Sequence, residues 1–278
     1  MMAEPRSWLF VPADSEKKIA KALDSEADAI IFDLEDSVAP GQKAAARAIL
    51  KDLPARSGGP AWWVRINPLG SEHHKDDLEL VGRGDIHGIV LPKAETGADI
   101  VQLAHRTGSI PIHAIVTETA ASLFGLLSYR NPGSPLAAMS WGAEDLSAAL
   151  GAASKYDASG ELGFTYRLAR SLCLAGAVAA GVQPVDGVFA DFRDEAGLRA
   201  ETEAAARDGF TGKLAIHPAQ VAAINAAFTP SADDIRHAED IVAAFDAQPD
   251  AGVLSVGGKM VDRPHLVQAR RILERASR

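Results

Sequence analysis

Sulfur is scarce in this chain: Cys173 is the single cysteine among 278 residues. No intrachain disulfide can form, and nothing points to an oxidising compartment. Cys173 sits in the apolar run SLCLAGAVAAG, where a free thiol is expected to pack rather than react. Basic residues are also in deficit, with 28 Lys and Arg against 37 Asp and Glu and a formal charge of −9. That balance argues against a non-specific nucleic-acid surface. No apolar run approaches the roughly 20 residues that span a membrane. The opening MMAEPRSWLFVPADSEKK has neither the apolar core nor the small-residue cleavage site of a signal peptide. The expectation is a cytoplasmic protein that binds neither nucleic acid nor membrane. Two motifs are missing as well. No Gly-x-Gly-x-x-Gly follows the first strand-like run, and no Cys/His set has zinc spacing.

What is present is ordered alternation. Eight short apolar runs are Trp8–Val11, Ala29–Phe32, Trp62–Ile66, Ile89–Leu91, Ile112–Val116, Ala137–Trp141, Val185–Phe189 and Lys213–Ile216. Such continuous runs suit strands buried on both faces, as in a parallel sheet. Between them lie amphipathic, alanine-rich stretches such as KAAARAILKDL and AGLRAETEAAARDGF, with apolar residues recurring at three and four. Eight strand–helix alternations predict an α/β fold, a (β/α)8 TIM barrel over residues 1–228. Residues 229–278 predict a small C-terminal helical extension: two further helices around PDAGVLSVGGKM, a glycine-rich hairpin or loop. Polar residues follow nearly every run, which suits a barrel that gathers its chemistry at strand C-termini.

Glu118 ends the fifth run and Asp145 follows the sixth, 27 residues later. On adjacent strand tips ~4.8 Å apart, both carboxylates could hold one hard cation such as Mg2+. Equally, each acid could be a helix N-cap or first-turn residue. Asp33, Glu35 and Asp36 crowd the end of the second run and repel unless donors or cations offset them. Arg65 could grip a carboxylate in two parallel hydrogen bonds, or form a structural salt bridge to Glu35 or Asp36. Lys93 could form a Schiff base, but the acids nearby favour a protonated amine. His73 and His74 lie in the polar stretch SEHHKDD and read as solvated. His217, at the tip of the eighth run, either caps its loop with Pro218 or contacts a ligand, since barrels often bind phosphate there.

Taken in order, RSWLFVPADSEKK, DAIIFDLEDSV, VRIN, VLPKAET, IVTETAASL, GAEDLSAALG, GKLAIHPAQV and GKMVDRPHLVQAR resemble the citrate lyase beta-subunit family, from Arg6 to about Arg271. That family includes malyl-CoA and citramalyl-CoA lyases within a superfamily of metal-dependent keto-acid aldolases. The resemblance implies Mg2+ at Glu118 and Asp145, and substrate binding at Arg65 and Glu118, with Glu35 and Asp36 in the catalytic set. It implies coenzyme A contacts at Phe10 and Lys21; His217 is a further candidate from its place at the tip of the eighth run. Ser15 stands where the lyases have an arginine, so one phosphate contact is unmatched. It also implies assembly as homotrimers or hexamers, with Asp262 of the extension offered to a neighbouring subunit's site as acid–base group. The activity implied is Mg2+-dependent, retro-Claisen cleavage or formation of a short 3-hydroxyacyl-CoA such as citryl-, malyl- or citramalyl-CoA, with an acyl-CoA and a keto acid as the other partners. Malate synthase or thioesterase activity on the same intermediates, a CoA-independent aldolase, and a non-catalytic keto-acid and metal binder are the alternatives.

Overall fold

The computed structural model describes residues 4–55, 58–131 and 133–277. Eight parallel strands close into a barrel in chain order, β1 pairing with both β2 and β8. They are β1 Ser7–Pro12, β2 Ala29–Asp33, β3 Ala61–Arg65, β4 Gly88–Ala94, β5 Ile112–Val116, β6 Leu136–Ser140, β7 Gln183–Asp186 and β8 Gly212–Ala215. The intervening helices are α1 Glu16–Leu23, α2 Lys43–Asp52, the single turn α3 His74–Asp77, α4 Gly97–Thr107, the short α5 Ser122–Gly125, α6 Ala143–Ala149, α7 Phe164–Ala180, α8 Glu195–Asp208 and α9 Val221–Phe228. The seventh strand pairs two residues earlier than Val185–Phe189 suggested. Val188 still packs on the interior cluster after the chain leaves the sheet, so apolar character outruns pairing.

Alternate residues fill the barrel, as the two-residue period of a strand requires. Trp8, Ala29, Ile31, Trp63, Val90, Ile115, Ala138, Val185 and Leu214 form one buried cluster. Trp8 meets Trp63 and His113 edge-on, with ring centroids 4.9 and 4.6 Å away. Burial pushes the His113 pKa down to about 3, so the ring is neutral beside the Ser140 hydroxyl. Residues of opposite parity, such as Ile30 and Phe32, are fully buried on the outer face, each stabilising the fold by about 1.5–3 kcal/mol.

Charge is buried on that outer face too. Asp186 accepts hydrogen bonds from Trp141 Nε1, Arg170 Nε and Lys213 Nζ, each at 2.8 Å. Lys213 is completely buried and also reaches Glu201 at 2.7 Å. Burial alone would raise the Asp186 pKa, but the Lys213 and Arg170 charges hold it down at about 2. Cys173 on α7 is fully buried, and burial pushes its thiol pKa up. Among the described residues, no helix is long and apolar enough to cross a membrane.

The described chain forms two compact units, residues 4–225 and the segment from Ala226 onward. The second unit contains α10 Ala232–Ala247, the antiparallel hairpin β9 Val253–Val256 and β10 Lys259–Asp262, and α11 Arg263–Ala276. Gly257 and Gly258 turn the hairpin at φ 57° and 77°, which a side chain would resist. Its own core is Ala238, Ile241, Phe245, Val261, Leu266 and Ala269.

Candidate active site

Asp33 shares the inward parity of Ala29 and Ile31, and pairs in register with Arg65 on β3. The Arg65 Nε and Nη2 groups each donate to the Asp33 carboxylate at 2.6 Å. Arg65 Nη1 lies 3.0 Å from Glu35, and the guanidinium carbon sits 4.7 Å from the centre of the Phe10 ring. The same Asp33 carboxylate accepts the Glu35 and Ser37 N–H groups, at 2.9 and 3.1 Å. Burial works to raise its pKa, but Arg65 and these bonds outweigh burial and keep Asp33 ionised. For Glu35 burial dominates and raises the pKa, against the opposing charges of Arg65 and Lys93. The loop itself is tied from below. Buried Lys43 donates to the Leu34 and Glu35 carbonyls at 2.8 and 3.0 Å, and Asn67 donates to Leu34 O at 3.0 Å.

Lys93 links this cluster to the other side of the mouth. The β4–β5 register shifts between Leu91 and Ala94, and Lys93 takes φ 53°, a conformation uncommon outside glycine. Such irregularities re-aim groups near active sites. Here the Lys93 N–H donates to Glu118 Oε2 at 2.5 Å. The Lys93 ammonium pairs with Glu35 in a short ion pair, and lies 3.5 Å from Asp36 and 3.2 Å from Asp145. Burial opposes the ammonium, but the Glu35 hydrogen bond and surrounding carboxylates raise its pKa, which favours the protonated amine over an imine-forming one.

Glu118 is 4% exposed. Burial pushes its pKa up to about 8, helped by Asp145 and opposed by the Lys93 N–H, Arg65 and Lys93. Thr117, just before it, has φ 91° and a buried hydroxyl without a partner. That is backbone strain at the residue that sets the Glu118 direction. Gly142 leaves the room Glu118 needs, since a Cβ there would come within 2.8 Å of Glu118 Cγ. Asp145 lies in the first turn of α6, where the helix dipole favours an anion.

Among the described residues, no group of three or more His, Cys, Asp and Glu side chains forms a metal cage. Glu118 and Asp145 nevertheless suit a hard divalent ion. Both offer carboxylate oxygens, both are held by one residue, Lys93, and a divalent ion would offset the burial that raises the Glu118 pKa and so draw out its ionised form. An ion such as Mg2+ takes few protein oxygens and completes its shell with water and substrate.

Of the residues singled out from sequence, Phe10, Glu35, Asp36, Arg65, Glu118 and Asp145 come together, through Arg65 and Lys93. Lys21 lies exposed in the last turn of α1, and Ser15 caps that helix. His217 caps the turn after β8, its Nδ1 accepting the Ala219 N–H at 3.2 Å, and it stacks on Phe192 at 4.5 Å. Asp262 belongs to the second unit, where it caps α11 and its Oδ1 lies 2.5 Å from His265 Nδ1. His74 corrects the solvated reading. It is buried, its Nδ1 2.9 Å from the Asn67 carbonyl, because α3 folds back against the strand end that carries Asn67. Sequence reasoning missed the Asp33 clamp on Arg65, the Lys43 anchor and the Gly142 clearance. Strand parity would have found the first; nothing local announces the other two.

The HpcH/HpaI aldolase/citrate lyase family matches residues 6–218, and a C–C bond lyase family of the TIM-barrel fold matches residues 162–278. A (3S)-malyl-CoA thioesterase from Cereibacter sphaeroides is 37% identical over 275 residues, 98% of this chain and 94% of its own. The mitochondrial citramalyl-CoA lyase of Rattus norvegicus is 36% identical, covering 98% of this chain and 86% of its own. The crystal structure of CitE from Mycobacterium tuberculosis in complex with magnesium, acetoacetate and coenzyme A superposes with a TM-score of 0.85 at 36% identity, over 99% of both chains.

Proposed function

We propose, from the premise that this chain belongs to the HpcH/HpaI aldolase/citrate lyase family, that it is a Mg2+-dependent carbon–carbon lyase acting on a short 3-hydroxyacyl-CoA. The observation that carries the reading is the Glu118–Lys93–Asp145 group facing an Asp33-clamped arginine across one barrel mouth. Relatives bearing citramalyl-CoA lyase and citrate lyase names, and a neighbour solved with magnesium, acetoacetate and coenzyme A, support it. Glu118 and Asp145 would hold the ion, which when bound supplies Lewis-acid stabilisation of developing oxygen charge.

The remaining chemistry falls to the chain's own groups. The guanidinium of Arg65 has more N–H donors than Asp33 and Glu35 use, so it can hold the substrate carboxylate while they fix its plane. The C2–C3 bond breaks with its electron pair leaving on the thioester side as an enolate. The C3 hydroxyl gives its proton to the Glu35–Asp36 pair and becomes the keto acid carbonyl. Asp262, supplied by a neighbouring subunit, passes to C2 a proton taken up from solvent, while the Glu35–Asp36 pair releases the hydroxyl proton to solvent, so the proton count closes and no oxidant or reductant is needed. Phe10, Lys21 and His217 are assigned to coenzyme A. The protein is read as a cytoplasmic homotrimer or hexamer. Phe124, Leu127 and Phe164 are 92, 76 and 72% exposed, and apolar side chains left this bare suit a subunit interface.

A second reading, hydrolysis of the thioester, is favoured by the malyl-CoA thioesterase relative. Incubation with malyl-CoA and citramalyl-CoA, with and without Mg2+, separates the two. The lyase releases acyl-CoA and a keto acid, the thioesterase free CoA and the hydroxy acid. Ligand-induced stabilisation with no turnover would overturn both in favour of a binding protein.

A further inference from the structure

We propose that the Lys93 ammonium is the built-in rival of the divalent ion for Asp145, and that it thereby holds the ion's affinity down. This rests on the assignment of Glu118 and Asp145 as the ion's ligands. The Lys93 ammonium lies 3.2 Å from Asp145 Oδ1, within the reach at which a cation occupies a carboxylate oxygen. Two like-signed cations cannot share that oxygen without strong repulsion. The residue is also built to yield. Its main chain is pinned by the N–H bond to Glu118, while its side chain is 28% exposed and keeps Glu35 and Asp36 as partners on the β2 side. Leaving Asp145 therefore strands no bare charge. The arrangement penalises an ion arriving alone and favours one arriving with an anionic ligand, since the added negative charge offsets the ammonium.

The probe is Mn2+, titrated by calorimetry or electron paramagnetic resonance into the full chain without substrate. Lys93→Gln is expected to bind Mn2+ at least about tenfold more tightly than wild type, and Lys93→Arg, which keeps the charge, within about threefold of it. Pyruvate should tighten Mn2+ binding by wild type more than by Lys93→Gln. Equal or weaker binding by Lys93→Gln, with wild type still binding, would overturn the proposal and leave the metal assignment standing. Failure of both proteins to bind Mn2+ would overturn both. A measurement on wild type needs no variant to fold: acetylation of Lys93, followed by mass spectrometry, should rise at least about twofold when Mn2+ is added, since a side chain released from its 3.2 Å contact with Asp145 is freer to meet the reagent. Unchanged labelling would overturn the displacement.

Discussion

Two charged clusters occupy one barrel, and they differ in balance. On the outer face, Asp186 is met by Arg170, Lys213 and Trp141, and the same two cations also pair with the half-exposed carboxylates of Asp208 and Glu201, each at 2.7 Å. At the mouth, Asp33, Glu35, Asp36 and Asp145 share ion pairs with just two side chains among the described residues, Arg65 and Lys93, and Glu118 accepts the Lys93 N–H. The outer cluster sits on regular strands and helices, with Asp186 and Lys213 on β7 and β8 and Arg170 on α7. The mouth cluster needs positive φ at Lys93 and Thr117 and a register shift in β4. A fully bonded set, whose surplus acid is half-exposed to solvent, holds elements together. An acid surplus maintained by strained backbone is the mark of a site prepared for a cation.

That contrast can be broken from either side. The largest effect is expected at the mouth: Asp145→Ala should lower kcat about a thousandfold or more, the scale of losing a charge-stabilising group. Its melting temperature should stay within about 3 °C of wild type, because a partly exposed side chain leaves. Steady-state kinetics and a thermal melt check both halves. Asp186→Ala should do the reverse, costing about 3–5 kcal/mol by stranding Lys213 and Arg170, while activity per folded molecule is unchanged. Denaturant titration alongside active-site counting reads it.

The two clusters should also respond oppositely to pH. Asp186 has its pKa lowered from 3.8 to about 2. Its contribution is fully present above about pH 4 and is lost as pH falls through 2, a change of about 2 kcal/mol that Asp186→Asn should abolish. Glu118 has its pKa raised from 4.5 to about 8. Without a divalent ion, stability should fall as pH rises between those values, because the folded state binds the extra proton. Mg2+ should flatten that slope. Chemical denaturation across pH, with and without Mg2+, measures both. The smallest effect is Gly142→Ala, which pushes on Glu118 and should weaken Mn2+ binding about tenfold at a stability cost of about 1–3 kcal/mol.

Much of this was legible in one sequence because parallel barrels write themselves plainly. Strands buried on both faces read as apolar runs, and each run from Trp8 to Lys213 overlaps a strand of the barrel, Val185–Phe189 only at its first two residues. Polar residues just beyond strand ends carried the candidate site. The misses have one physical origin: they depend on packing between separate elements, which no local pattern records. Asp33 meets Arg65 across 32 residues, and Lys43 reaches back to carbonyls of the loop before it. Gly142 matters only because the Glu118 stem lies against it. His74 read as solvated from its polar neighbours, yet the turn it sits in folds onto Asn67.

The central claim is that Glu118 and Asp145 hold one ion together at the mouth of this barrel. Anomalous diffraction from crystals grown with Mn2+ and pyruvate addresses it directly. The account predicts a single strong peak between the two carboxylates, about 2.1–2.3 Å from an oxygen of each. A peak bound elsewhere, or none while the crystal turns over substrate, would contradict it.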